Sequence, residues 1–138
     1  MTGDNTMAAK EQPGVDAGLA TNGKVSYIQI PALDVARSAA FYTNVFGWSD
    51  RDDGNPVHRS FVDASGELIG AWVTHLAIAR DPGVLPYICV TRIDDTVTQI
   101  ETNGGEVVRP PYPEGDLWVA TFRDPAGNVI GVWQAGPR

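Results

Sequence analysis

Few side chains in this chain have the type and spacing to do chemistry. His58, His75, Asp63 and Glu67 could each ligate a divalent cation. An ordinary site needs imidazole, thiolate or carboxylate groups converging on one point, and the spacing of these four follows no recurring ligand pattern. Cys89 is the single cysteine. A nucleophilic thiol needs a neighbouring base or cation to lower its pKa, and none stands near it in sequence, so it reads as a buried, inert thiol. Ser60 and Ser65 sit in no nucleophile elbow, and Gly104-Gly105 lacks the spacing of a phosphate-binding loop. The acidic pairs Asp52-Asp53 and Asp94-Asp95 are explained by a loop and a helix cap. His75 reads as a surface residue beside a strand end. His58 falls in a strand where it faces either a cleft or solvent. The residues that remain are aromatic, and they recur.

Asp63-Ala-Ser-Gly66-Glu-Leu-Ile69-Gly70-Ala-Trp72 is echoed by Asp124-Pro-Ala-Gly127-Asn-Val-Ile130-Gly131-Val-Trp133, an offset of 61 residues (63 to 124) that also pairs Phe61 with Phe122. Upstream, Tyr27-Ile28-Gln29-Ile30 with Asp34 answers Tyr87-Ile88-Cys89-Val90 with Asp94, an offset of 60 (27 to 87). Two anchors at nearly one offset indicate a duplicated module, since a solenoid needs three or more repeats to bury its core.

Each copy must supply elements that position these residues. Val25 to Ile30 alternates as a strand and Pro31 ends it. Asp34 can cap a helix carrying Val35, Ala39, Tyr42 and Phe46 at helical spacing, with Gly47 as its stop. Phe61 to Asp63, a turn at Ala64-Ser65-Gly66, and Leu68 to Val73 read as a hairpin, and a further strand is placed around Val57. The second copy runs from strand Tyr87–Val90 to a helix from about Asp94 to Asn103, stopped by Gly104-Gly105. Val107-Val108, a loop at Pro110-Pro111-Tyr112-Pro113 bordering an opening, Leu117 to Arg123, and Asn128 to Gln134 complete it. The fold class is α+β: two βαβββ modules pairing into a curled sheet around a cleft. Residues 1–23 read as a disordered tail poor in large apolar side chains, and 24–135 as a single domain with modules at 24–77 and 84–135.

The bulk properties narrow the partners. Ten basic residues against 17 acidic give a net charge of -7 over 138 residues, which opposes nucleic-acid binding and favours cationic partners. No apolar run has the length of a signal peptide or membrane span. One cysteine allows no internal disulfide, and the expected location is cytoplasmic.

The ordered set Ile30-Pro-Ala-Leu-Asp34, Ser38-Ala-Ala-Phe41-Tyr42, Phe46-Gly47-Trp48, Asn103-Gly104-Gly105 and Asp124-Pro-Ala-Gly127-Asn128 resembles the vicinal oxygen chelate superfamily, which includes glyoxalase I, ring-cleaving dioxygenases and bleomycin-resistance proteins. The resemblance covers about residues 24 to 135. It implies a glyoxalase-like fold, a homodimer, and a divalent metal held by His, Gln and Glu, one from the first and one from the last strand of each module. Carried over, those positions are Tyr27, Gly131, its repeat equivalent Gly70, and either Leu85 or Tyr87. Glycine and leucine have no donor atom, so no metal and no other cofactor is expected.

If Gly70 and Gly131 face inward, strand alternation turns Leu68, Trp72, Val129 and Trp133 to the same face, with Tyr27, Gln29, Tyr87 and Cys89 from the first strands. Trp118 and His58 join them. The expected ligand-binding set is thus Tyr27, Gln29, His58, Trp72, Tyr87, Cys89, Trp118 and Trp133. Such an aromatic-walled pocket suits a small aromatic, apolar or cationic molecule. The expected function is metal-independent binding of such a molecule. The alternative is a glyoxalase-like lyase, isomerase or dioxygenase with relocated ligands, or metal-free catalysis through Tyr27, His58 or Arg59.

Overall fold

The computed structural model describes residues 18–138; most of the N-terminal segment read as a tail lies outside them. Module one comprises β1 (Tyr27–Pro31), α1 (Val35–Phe46), β2 (Ser49–Arg51), β3 (His58–Val62) and β4 (Ile69–Val73). Module two comprises β5 (Tyr87–Cys89), α2 (Ile93–Thr102), β6 (Glu106–Glu114), β7 (Leu117–Arg123) and β8 (Val129–Ala135). Each forms a four-stranded mixed sheet, ordered β1-β4-β3-β2 and β5-β8-β7-β6. The first strand runs parallel to the last, and the remaining pairs are antiparallel. The two sheets are not closed on one another, and β1 and β5 are both edges.

Local chemistry accounts for the helices. Asp34 caps α1, its Oδ1 accepting from the N–H groups of Ala36 (3.0 Å) and Arg37 (3.3 Å). Gly47 closes it in the left-handed conformation at φ 73°, where a side chain would be strained. In α2 the cap is Arg92 rather than the expected Asp94, and no side chain of its own turn satisfies it. The Oε1 of Gln134, on β8, accepts from Ile93 N at 2.7 Å instead. Asp94 and Asp95 lie in the first turn, where their charge favours the helix dipole.

Two elements depart from expectation. The extra strand of module one is Ser49–Arg51, and Val57 only precedes β3. The Pro-rich segment is no loop: β6 continues through it to Glu114. Proline is tolerated there because β6 is an edge strand, and its register to β7 shifts between Val107 and Arg109 and again between Arg109 and Tyr112.

Both sheets pack one face against the helices. Ile30, Phe61, Trp72, Ala120, Phe122, Ile130 and Val132 join Phe41, Tyr42, Ile93 and Ile100 in one core. Around Trp48 the rings stack closely, with centroids 4.8 Å from both Tyr42 and Phe61, and Trp72 lies 4.7 Å from Phe61. Trp72 is fully buried, and its indole nitrogen has no hydrogen-bond partner among the described residues.

The echoed strands face opposite ways. In module one, six residues (63–68) separate the last β3–β4 pair, Val62 and Ile69; in module two, five (124–128) separate Arg123 and Val129. The turns open alike, with Asp63 Oδ1 accepting from Gly66 N at 3.0 Å and Asp124 Oδ1 from Gly127 N at 3.1 Å. They close differently, Asp63 N donating to Leu68 O and Asp124 N to Asn128 O. With the repeat itself ungapped, this is a one-residue slip in pairing register, and it reverses every following side chain. Gly70 and Trp72 therefore face the helices, whereas Gly131 and Trp133 face outward. Trp72 is not a cleft residue.

Tyr42 on α1 ties module one to the second turn. Its hydroxyl donates to Asp124 Oδ2 at 2.8 Å, which also accepts from Asn128 Nδ2 at 2.9 Å. Asn128 Nδ2 further donates to Pro31 O at 2.7 Å, and Asn128 Oδ1 accepts from Ala79 N at 2.8 Å. Burial pushes the Asp124 carboxyl above its ordinary range, against the pull of hydrogen bonds from Asn128, Tyr42 and the turn.

Two outcomes test this description. A methyl group at Gly70 would meet the Ile28 carbonyl oxygen and the Phe61 ring, whereas at Gly131 it meets only the ring of half-exposed Tyr87. Gly70→Ala should cost about 1–3 kcal/mol and Gly131→Ala less than about 1, read from urea midpoints; equal costs would contradict the opposed faces. Tyr42→Phe removes a donor from a buried carboxylate and should cost about 1–3 kcal/mol at pH 7. Because the Asp124 carboxyl is raised in the folded state, its contribution is fully present at acid pH and is lost as pH rises through the folded value. The Tyr42→Phe deficit should therefore shrink as denaturation is repeated at progressively more acid pH and the carboxyl takes up its proton.

Candidate functional site

Between the edge strands β1 and β5 lies a cavity of about 670 Å³. Ile28 and Ile30 of β1, Tyr42, Val45 and Phe46 of α1, Trp48, Leu68, Ile88, Val90 and Ile130 make its walls. Its polar rim is made by Asp63 and Ser65 of the first turn and by Thr91 and Thr96. Tyr87 and Cys89 border it from β5, both exposed, so the Cys89 thiol is not the buried one expected: alternation turns it with Tyr87 away from the core side that Ile88 faces. These walls follow from alternation: Ile28, Ile30, Ile88 and Val90 turn to the helix side, and because β1 and β5 do not pair, the apolar layer between them stays open.

The expected ligand residues divide among three places. Tyr87 and Cys89 line the cavity, and Trp133, paired with Cys89, is half-buried on the outer face of module two. Tyr27, Gln29 and His58 occupy the outer face of module one, away from the cavity lining. Trp72 is in the core, and Trp118 packs on the helix side beneath the Arg138 guanidinium, 4.8 Å from its ring centroid. The groups considered for metal-free catalysis are not brought together. Tyr27 pairs with Ile69 and His58 with Val73, roughly 13 Å apart along β4 by strand rise. Arg59 turns to the other face and pairs with Asp50 at 2.7 Å.

On the outer face of module two, Tyr87 lies over Gly131, with Arg109, Tyr112 and Glu114 of β6 close by. The Arg109 guanidinium sits 3.5 Å from the Tyr112 ring centroid. Burial, then Tyr112 and Glu114, push the Tyr87 phenol up, and Arg109 opposes them. Sequence reasoning missed these three β6 residues because the prolines were read as a loop. The β-branched pair Val107-Val108 was the available signal for a strand start, but the prolines that follow and the register shifts hid its continuation.

The family's metal positions do not fit a metal here. Tyr27 faces outward beside Ile69, Gly70 faces the core, Gly131 lies under Tyr87, and Leu85 has no donor. Among the described residues, no three His, Cys, Asp or Glu side chains converge as a metal site, and no helix is long and apolar enough to cross a membrane.

Comparison with known proteins agrees with this architecture. The chain is 30% identical over 123 residues to the glyoxylase candidate CFP32 of Mycobacterium tuberculosis, covering 82% of this chain and 46% of that protein. It is 30% identical over 132 residues to the anthracycline biosynthesis protein DnrV of Streptomyces peucetius, covering 83% and 48%. The chain thus spans about half the length of these curated relatives. Among solved structures, a glyoxalase/bleomycin resistance protein/dioxygenase family enzyme from Burkholderia phytofirmans superposes with TM-score 0.67 at 21% identity, over 81% of this chain and 98% of that one. The fosfomycin resistance protein FosX of Listeria monocytogenes gives TM-score 0.68 at 16% identity, over 83% and 95%; a mutant of it has been crystallised with Mn(II). The family model for the Glyoxalase/Bleomycin resistance protein/Dioxygenase superfamily matches residues 24–132, and the chain belongs to that superfamily.

Proposed function

We propose that this protein binds a small, largely apolar or aromatic organic molecule between its two modules, without a metal. The cavity carries this reading. Its 670 Å³ falls within the usual range for small-molecule sites, and its walls are aliphatic and aromatic with a few polar groups at the rim. Tyr87, Cys89 and Trp133 are assigned to its outer side, where aromatic surface continues from the opening. A relative named for anthracycline biosynthesis makes polycyclic aromatics the first class to try. The lone exposed thiol of Cys89 suits a reducing, cytoplasmic setting.

Titration calorimetry with flat aromatic probes, an anthracycline among them, tests this on chelator-treated protein. Leu68→Trp, which fills the cavity from its half-buried wall, should weaken binding at least about tenfold; Trp133→Ala should weaken it less. Unchanged affinity in a folded Leu68→Trp variant would remove the cavity from consideration. Near-stoichiometric zinc, nickel, iron or manganese in protein purified without chelator would favour the alternative of a glyoxalase-like enzyme with relocated ligands.

The same chain leaves Tyr27, Val62, Tyr87 and Val108 exposed on its strands and Val25 and Val57 exposed just before β1 and β3, and among the described residues no strand pairs with the free edges of β1 and β5. We assign these surfaces to a homodimer. Sedimentation equilibrium is expected to give twice the chain mass, and a monomer at micromolar concentration would overturn the assignment.

A further inference from the structure

Asp63 is the one residue with a formal charge among those lining the cavity. It sits at the rim, in the turn between β3 and β4, and is half-buried. Its Oδ1 is occupied, accepting from Gly66 N at 3.0 Å and from Ser65 Oγ at 2.7 Å. Among the described residues its Oδ2 has no partner, and no arginine or lysine pairs with Asp63. The contrast with the second turn is direct. There Asp124 Oδ1 accepts from Gly127 N as Asp63 Oδ1 does from Gly66 N, and also from Ala126 N and Asn128 N, but its Oδ2 is consumed by Tyr42 and Asn128. The repeat has therefore kept the turn-forming oxygen in both copies and left the other oxygen free only where the cavity opens.

We propose that Asp63 selects the ligand class: molecules with an apolar or aromatic body that fits between β1 and β5 and a protonated amine that reaches the rim. This rests on the cavity reading above and adds the charge that the ligand must bear. The apolar walls supply affinity without regard to charge. A carboxylate at the mouth, with no cation beside it, favours ammonium over hydroxyl and repels a carboxylate, and the overall charge of -7 adds a field of the same sign. The pairing is screened at so accessible a site, which keeps the expected preference modest.

Three probes sharing one ring system separate the contributions: 2-naphthylmethylamine, 2-naphthalenemethanol and 2-naphthoic acid, titrated by calorimetry into the wild-type chain, Asp63→Asn and Leu68→Trp. The amine should bind about fivefold tighter than the alcohol, and the acid most weakly. Asp63→Asn keeps the oxygen that forms the turn, so its melting temperature should be unchanged. In it the amine should fall to the affinity of the alcohol, whose own affinity stays the same. Raising salt to molar concentration should reduce the amine's advantage in the wild-type chain alone. Equal affinities for amine and alcohol in the wild-type chain, or a preference that survives Asp63→Asn, would overturn the role of Asp63 while leaving the cavity standing. Failure of all three probes to bind, or binding of the alcohol that Leu68→Trp does not disturb, would overturn the cavity reading and this one with it.

Discussion

The Asp124 carboxylate is where the two modules are fastened together. One of its oxygens organises the β7–β8 turn through the N–H groups of Ala126, Gly127 and Asn128. The other receives Tyr42 from module one and Asn128 from its own turn. Through Asn128 the network also reaches the end of β1 at Pro31 and the connecting segment at Ala79. A buried carboxylate is costly unless its lone pairs are satisfied, so these bonds act as a set. They hold α1 at a fixed distance from module two, and the cavity is the space left between β1 and β5 when that distance is set.

Much of the fold was legible in the sequence because its signals are local. Asp34 and Gly47 bracket α1, the double glycine stops α2, and the shared Asp-Xaa-Xaa-Gly turns mark both hairpins. The duplicated module followed from these. What was not legible depends on pairing across the chain. The cap of α2 comes from Gln134, 41 residues from Ile93, and no local pattern announces it. Prolines at 110, 111 and 113 suggested a loop because the edge position that permits them in β6 is a property of the whole sheet.

The site was read less completely than the fold, and for one geometric reason. Trp72 and Trp133 stand at equivalent positions of an ungapped repeat, so equivalent environments were expected. The hairpin of module one holds one more residue than that of module two, which sends the first indole into the core and the second to the outer face. Leu68, already turned to the inner face by strand alternation, borders the cavity, and so does Asp63, which the sequence suggests only as a metal ligand.

The unequal turns also bear on how a duplicated protein diversifies. Two identical halves offer two identical surfaces, and point substitutions change one side chain at a time. A one-residue slip of pairing register across a turn exchanges the inner and outer faces of a whole strand at once, while leaving its sequence length unchanged. Module one has kept the Gly-Xaa-Trp segment of its twin yet uses it as interior packing, which turns Ile69, Ala71 and Val73 to the opposite face, where Ala71 and Val73 are themselves buried. Descent from a common half is thereby preserved in the letters of the chain and erased from its surface.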